Sequence, residues 1–195
     1  MKKILTILIG AACAVGCSGN SAKTTESADS TATAQETGER TLVAYFSATG
    51  TTANAARLLS EQIPGSTLFE ILPETPYSDA DLDWHDKQSR SSVEMADSTS
   101  RPAIAAEPVM PDMAEFDTVY VGFPIWWYTC PTIINTFIES VDLRGKTVIP
   151  FATSGGSTIE GTVANLRRDY PELTIEEGLL LNGATPQSVA SALKK

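Results

Sequence analysis

The stretch Thr41–Thr52, which reads TLVAYFSATGTT, decides the fold of this chain. An apolar and aromatic run ends abruptly in a small, hydroxyl-rich loop with one glycine, and apolar residues then recur at spacings of three and four from Ala53 to Ile63. This order predicts a buried strand, a loop and a helix start, the arrangement with which α/β proteins hold a phosphate. No lysine or arginine lies between Thr41 and Ala56, so the loop would bind an anion through backbone N–H groups, hydroxyls and the helix dipole.

The same loop also fits an ordinary turn in which serine and threonine cap the helix, since both are favoured N-cap residues. The nucleotide-triphosphate motif GxxxxGK[ST] and the dinucleotide motif GxGxxG are both missing from it. From this segment alone, a helix cap and a site for a single phosphate group both remain open.

A second unit of strand, loop and helix follows further along the chain. The segment Asp117–Phe123 (DTVYVGF) predicts a buried strand because it is mostly β-branched and aromatic. It runs into Pro124–Tyr128 (PIWWY), and Pro131 suits the first turn of a helix that we predict to about Val141. Three consecutive large aromatic residues at the end of a strand are expected in the core, on a protein partner or against a flat ligand.

A third unit repeats the layout, with a predicted strand at Lys146–Ala152, the loop Thr153–Ser157 (TSGGS) and a helix from about Ile159 to Asp169. In a parallel sheet, ligands bind outside the carboxyl ends of the strands, so we expect the three loops to meet at one edge. One loop fits a phosphate, one offers aromatic faces and one offers flexible backbone. Together they predict a nucleotide with a planar ring, and FMN fits best.

The S-x-T-G-x-T, PIWW and TSGG loops together resemble those of the flavodoxin family, and the resemblance runs from about Thr41 to Leu193. It implies that FMN binds at these loops, with Trp126 or Trp127 stacked on the isoalloxazine ring. The residues that this resemblance assigns to FMN are Ser47, Thr49, Gly50, Thr51 and Thr52 at the phosphate, and Pro124, Ile125, Trp126, Trp127, Thr153, Ser154, Gly155, Gly156 and Ser157 around the ring.

The TSGGS loop departs from the electron-carrying flavodoxins, which commonly place a tyrosine over the flavin at this point. The outer face of the flavin would then be open to a substrate, or the long insertion Pro73–Pro111 would cover it. That insertion contains Trp84 and the only histidine, His85, which we expect to be a solvated loop residue. We assign no catalytic residue and predict no metal site. Cys130 is expected to be a buried thiol, with a reactive thiol as the alternative.

The remaining elements complete an α/β fold. We predict the second strand at Ser66–Leu72, the last strand at Leu173–Leu181 with Gly178 as a bulge or close approach, and a closing helix at Pro186–Lys194. The prediction is a three-layer doubly wound sandwich around a five-stranded parallel sheet in the order 2-1-3-4-5.

The N-terminus resembles a bacterial lipoprotein signal. Two lysines after Met1 precede an apolar stretch, Ile4–Val15, that is too short to span a membrane, and the segment ends at Cys17. We expect a signal peptide at residues 1–16, a lipidated Cys17 with a disordered tether at 17–40, and a folded domain at 41–195. The protein would lie in the bacterial cell envelope, on the periplasmic face or the cell surface. An ordinary signal-peptidase cleavage is the alternative.

A formal net charge of −10 disfavours nucleic acid and anionic membrane surfaces as partners, so membrane contact is expected only through the lipid anchor. Three functions fit the chain. The first is an FMN electron carrier that exchanges electrons with a redox partner protein or a quinone. The second is a flavin-dependent quinone or NAD(P)H oxidoreductase with an open flavin face, and the third is a non-redox domain that has lost FMN.

Overall fold

A computed structural model describes residues 40–194. The predicted signal peptide, the lipidated Cys17 and the predicted tether up to residue 39 lie outside these residues, as does Lys195. Among residues 40–194, no helix combines the length and the apolar character needed to cross a membrane.

The described chain alternates strands and helices. The strands are β1 (Thr41–Tyr45), β2 (Thr67–Glu70), β3 (Thr118–Pro124), β4 (Thr147–Thr153), β5 (Thr174–Ile175) and β6 (Leu179–Leu180). The helices are α1 (Thr51–Gln62), α2 (Arg90–Ala96), α3 (Thr132–Ser140), α4 (Glu160–Asp169) and α5 (Pro186–Ala192), with a 3₁₀ turn at Met113–Glu115.

All strand pairs in the sheet are parallel, in the order β2-β1-β3-β4-β5, with β6 also paired to β4. This confirms the predicted order 2-1-3-4-5. The predicted last strand is divided, because β5 pairs with the start of β4 and β6 with its end. Gly178 lies in the break, where a Cβ atom would come within 2.5 Å of the Ile159 Cδ1 atom. The close approach predicted at Gly178 is therefore present.

Helices cover both faces of the sheet, which gives the predicted three layers. Alternate residues of β1 point to opposite faces: Val43 joins a core with residues of α1 and α5, whereas Leu42 joins a core with residues of α3 and α4. Pro131 stands at the N-cap of α3, one position before the predicted first turn.

The long insertion between β2 and β3 is mostly irregular, apart from α2. Its first residue, Pro73, forms a short antiparallel contact with Ile104. Arg101 also joins it to α3, since its guanidinium donates two hydrogen bonds of 2.8 Å to the Glu139 carboxylate. These hydrogen bonds hold the pKa of Glu139 below its usual value. The Arg101–Glu139 contact thus holds the insertion against α3.

Candidate functional site

The loop between β1 and α1 leaves the start of the helix open. Gly50 is the N-cap residue, with a left-handed φ of 84°, and no side-chain hydrogen bond from the described residues caps α1. The hydroxyls of Thr49 and Thr51 are 3.4 Å from each other. The structure therefore does not use this loop as an ordinary serine or threonine cap, and the helix N-terminus remains available to an anion.

The Ser47 hydroxyl oxygen, in the same loop, is shielded from solvent and has no hydrogen-bond partner among residues 40–194. A buried hydroxyl without a partner is costly, so such atoms usually indicate a missing ligand or water. A phosphate oxygen at the start of α1 would be a suitable acceptor. The loop thus fits a phosphate group by the chemistry of its donors, and it does so without a basic side chain.

Thr153 connects the three predicted loops. Its hydroxyl forms a buried hydrogen bond of 2.8 Å with the Thr52 hydroxyl in the first turn of α1. Its carbonyl oxygen accepts a hydrogen bond of 2.8 Å from the backbone N–H of Ile125. The loop after β4 is therefore joined to both the loop after β1 and the loop after β3.

The aromatic loop after β3 forms a tight turn. The backbone groups of Trp126 and Thr129 exchange two hydrogen bonds of 2.9 Å, and the two residues between them have positive φ, 45° at Trp127 and 66° at Tyr128. This is the backbone of a type I′ turn, which normally selects asparagine and glycine. Left-handed backbone at two large residues is strained, and such strain is concentrated at functional sites.

The turn separates its aromatic side chains. Trp126 is half-buried and packs edge-on against Phe46 and Tyr77, with ring centroids 5.7 and 5.5 Å away. Trp127 is 45% exposed and Tyr128 is 78% exposed. Trp126 therefore packs against the protein, whereas the two residues at the tip of the turn leave aromatic surface exposed.

The TSGGS loop is organised by Ser154. Its hydroxyl accepts hydrogen bonds from the backbone N–H groups of Gly156 and Ser157, at 3.1 and 2.7 Å. Its own backbone N–H donates to the Asn182 side-chain oxygen at 2.7 Å. Sequence reasoning missed Asn182, although its place directly after the last strand, at the carboxyl edge of the sheet, was an available signal.

A cavity of about 770 Å³ opens between the aromatic turn, the TSGGS loop and the insertion. It is lined by Leu82, Trp84, Ser91, Ile125, Trp126, Trp127, Tyr128, Ser154, Gly155, Gly156 and Ser157. Seven of these residues were predicted around a flavin ring; Leu82, Trp84, Ser91 and Tyr128 were not. Pro124 and Thr153 are the last residues of β3 and β4. Like the predicted phosphate-loop residues, they lie outside the lining of the cavity.

The insertion contributes Trp84, which is 67% exposed. The ring of His85 lies on it, with the centroids 3.6 Å apart, and His85 is exposed and does not line the cavity. Nearby, the Arg90 guanidinium lies 4.0 Å from the centre of the Tyr77 ring, and the Tyr77 hydroxyl donates to Glu94. Burial, together with this hydrogen bond, raises the pKa of Tyr77.

Cys130 is buried, and burial raises the pKa of its thiol to about 12. Removal from water therefore outweighs the hydrogen bonds that favour the thiolate, from the Thr129 side chain and the backbone. This makes Cys130 a packing residue, as expected. Residues 40–194 contain no group of three or more histidine, cysteine, aspartate or glutamate residues arranged to hold a metal ion.

A family model described as flavodoxin matches residues 40–195. The chain is 57% identical, with a TM-score of 0.77, to a crystal structure from Bacteroides uniformis that is provisionally described as a flavoprotein; the match covers 81% of this chain and 99% of that one. It shares its fold with a flavoprotein in complex with FMN from Lactobacillus acidophilus, at 22% identity and a TM-score of 0.63, over 81% of this chain and 100% of that one.

A curated relative is more distant. The chain is 26% identical over 90 residues to FMN-dependent NADH:quinone oxidoreductase 4 from Bacillus cereus. The match covers 45% of this chain and 43% of the relative, so the chain spans less than half the length of that protein.

Proposed function

Because the chain belongs to the flavodoxin family, we propose that it binds FMN at the three loops and carries electrons in the bacterial cell envelope. The observation that supports the proposed FMN site is the unpartnered, solvent-shielded hydroxyl of Ser47 beside the uncapped start of α1. A phosphate group would satisfy both the hydroxyl and the free backbone N–H groups of the helix.

The residues divide into two groups by what they would hold. Ser47, Thr49 and Gly50–Thr52 would bind the phosphate through hydroxyl and backbone N–H groups. The faces of Trp127 and Tyr128 and the backbone of the TSGGS loop would hold the ring. When bound, FMN would supply the redox chemistry, and the protein would bind it, orient it and exclude water from it.

Charge around the site would lower the reduction potential of the flavin. The chain has a net charge of −10, and the aspartates at positions 79, 81, 83 and 86 of the insertion are close in sequence to Leu82 and Trp84, which line the cavity. Negative surroundings oppose the addition of an electron. These carboxylates are largely exposed, so solvent screens most of their effect.

A second candidate function is a flavin-dependent reductase of a small planar acceptor. The favouring observation is the cavity, whose uncharged and aromatic lining leaves room beside the TSGGS loop, which has no aromatic residue. None of the lining residues is basic, so a neutral quinone fits better than NAD(P)H, whose phosphates are negative. The name of the Bacillus cereus relative adds support for a quinone. A domain that has lost FMN ranks last, because all three loops retain compatible residues.

An absorbance spectrum tests the proposal directly. The purified full chain is mixed with FMN, separated from free FMN by gel filtration, and scanned in the visible range. We expect flavin bands that are shifted from those of free FMN and travel with the protein. A colourless protein would contradict FMN binding.

Turnover of the loaded protein separates the two candidate functions. A soluble electron donor and a water-soluble quinone are added together, and quinone consumption is followed over time. An electron carrier should turn over slowly and require a protein partner, whereas a reductase should consume the quinone by itself.

The proposed location has its own test. Cys17 would be lipidated and would anchor the chain to the envelope, so wild-type protein grown with a labelled fatty acid should carry the label and a Cys17→Ala variant should not. Unlabelled wild-type protein would contradict the lipid anchor.

A further inference from the structure

The aromatic turn is not the only segment that brings a large aromatic side chain to the cavity. Trp84, from the insertion, lines the same cavity as Trp127 and Tyr128. We propose that Trp84 is a cofactor-binding residue that packs against the flavin ring and supplies the aromatic surface that the TSGGS loop lacks. This inference rests on the proposed binding of FMN.

The first support is the exposure of Trp84. Its side chain is 67% exposed although it belongs to the wall of a cavity. Exposed tryptophan is unfavourable in water, and a flat ligand placed against the indole would remove much of that exposed area. None of the residues that line the cavity is charged, so an aromatic ring can approach the indole without displacing a charged side chain.

The second support is that the segment around Trp84 is held in place. The His85 ring lies against the indole at 3.6 Å between centroids. The Asp81 carboxylate accepts two hydrogen bonds from Ser78, at 2.6 and 2.9 Å, and the Asp81 carbonyl accepts one of 2.9 Å from Ser91. Hydrogen bonds therefore order the chain before Trp84 and connect it to Ser91 after Trp84. This order reduces the entropy lost when a ligand packs against the indole.

The third support is that the insertion is packed onto the aromatic turn. The rings of Tyr77 and Trp126 are in contact, with their centroids 5.5 Å apart. The Arg90 guanidinium lies 4.0 Å from the centre of the Tyr77 ring. Tyr77 and Arg90 flank the segment that carries Trp84 in the sequence. The spacing between Trp84 and the turn is thus set by packing within the protein.

The test compares FMN and riboflavin binding in the full chain with two variants of Trp84 and a matched control. The variants are Trp84→Ala and Trp84→Phe. The control is Val93→Ala, since Val93 belongs to the same insertion and is 52% exposed but does not line the cavity. Dissociation constants come from titration of the FMN-free protein, and unfolding midpoints are measured without FMN.

We expect Trp84→Ala to weaken the binding of FMN and riboflavin by about the same factor, roughly ten- to a hundredfold, as for the loss of one stacked aromatic residue. Trp84→Phe should stay within a few-fold of the wild type, and Val93→Ala should match it. Unfolding midpoints should not change, because the indole is mostly exposed.

Two results would overturn the role of Trp84 alone. In the first, the wild type binds FMN and Trp84→Ala binds it equally well. In the second, Trp84→Ala loses affinity for FMN but not for riboflavin, which would place the effect at the phosphate. A wild-type protein that binds neither flavin would overturn the proposed function, and this inference with it.

Discussion

The hydroxyl oxygens of Thr52 and Thr153 lie 2.8 Å apart in the interior of the protein, and their hydrogen bond joins the start of α1 to the end of β4. Both residues are buried. The two ends belong to different βα units that are far apart in sequence. This contact therefore fixes the distance between the proposed phosphate loop and the loop proposed to hold the flavin ring.

Removing this hydrogen bond should destabilise the domain. Thr153→Val leaves the Thr52 hydroxyl buried without its partner, and the free energy of unfolding should fall by about 1–3 kcal/mol in urea denaturation. Thr132→Val is the matched control, because the buried Thr132 hydroxyl has no partner within residues 40–194. It should lose no stability, and equal losses in both variants would show that the hydrogen bond is not the cause.

The Ser47 hydroxyl should affect the affinity for the FMN phosphate and not the stability of the fold. Ser47→Ala should weaken FMN binding about tenfold or more, as expected for a lost hydrogen bond to a charged group, and should leave riboflavin binding unchanged. Isothermal titration with both flavins measures this. The unfolding midpoint without ligand should not fall, since the hydroxyl has no partner there. A parallel loss for both flavins would place Ser47 away from the phosphate.

The strained aromatic turn should lower the stability of the domain while its side chains strengthen FMN binding. Replacing Trp127 by Asn and Tyr128 by Gly gives the sequence that a type I′ turn prefers. Relief of the backbone strain at these two left-handed positions should raise the free energy of unfolding by about 1–2 kcal/mol. FMN affinity should fall because the aromatic surface is gone. Urea denaturation and FMN titration of the same double variant check both signs. Lower stability together with unchanged affinity would contradict a ligand-holding turn.

Gly50 should not tolerate a side chain, for a backbone reason. Its φ of 84° is left-handed, and a Cβ atom there would meet no atom within 4 Å. Gly50→Ala should therefore cost about 1–2 kcal/mol of stability through backbone strain alone. Gly155→Ala is the control, since Gly155 has equal space without a positive φ, and it should be nearly neutral in the same urea denaturation. A neutral Gly50→Ala would show that the loop can change its backbone.

Cys130 should make stability depend on alkaline pH. Its folded pKa is about 12, against an ordinary value of 9.0, so the unfolded chain releases the proton first. The protonated thiol therefore contributes fully to the free energy of unfolding below pH 9, and this contribution is lost as the pH rises towards 12. Between pH 8 and 10, the wild type should lose about 1.4 kcal/mol relative to Cys130→Ala. Stability curves of the two proteins that stay parallel over this range would contradict a buried, protonated thiol.

Strand order and the main loops could be predicted because they depend on local patterns. Each unit has a buried apolar strand followed by a polar or aromatic loop, and the parallel topology then brings the loops to one edge. The same local patterns could not predict the division of the last strand, because β5 and β6 are only two residues each. Their pairing depends on the register of β4 and on the contact between Gly178 and α4.

The parts of the site that were missed depend on contacts between distant segments. Positive φ at Trp127 and Tyr128 contradicts the preference of large side chains, so no propensity indicates it. Trp84 reaches the cavity because the insertion packs through Tyr77 on Trp126, and a loop of this length has no periodic pattern that would place it. Asn182 is one polar residue among several, and only the folded position of Ser154 gives it a partner.

The divided edge of the sheet also bears on how the protein behaves at high concentration. A continuous edge strand offers a row of free backbone groups that can pair with another molecule. Here the edge beside β4 consists of β5 and β6, with the exposed Glu176 and Glu177 in the break between them. An approaching strand would find two short stretches separated by negative charge. This interruption should protect this edge of the sheet against edge-to-edge aggregation.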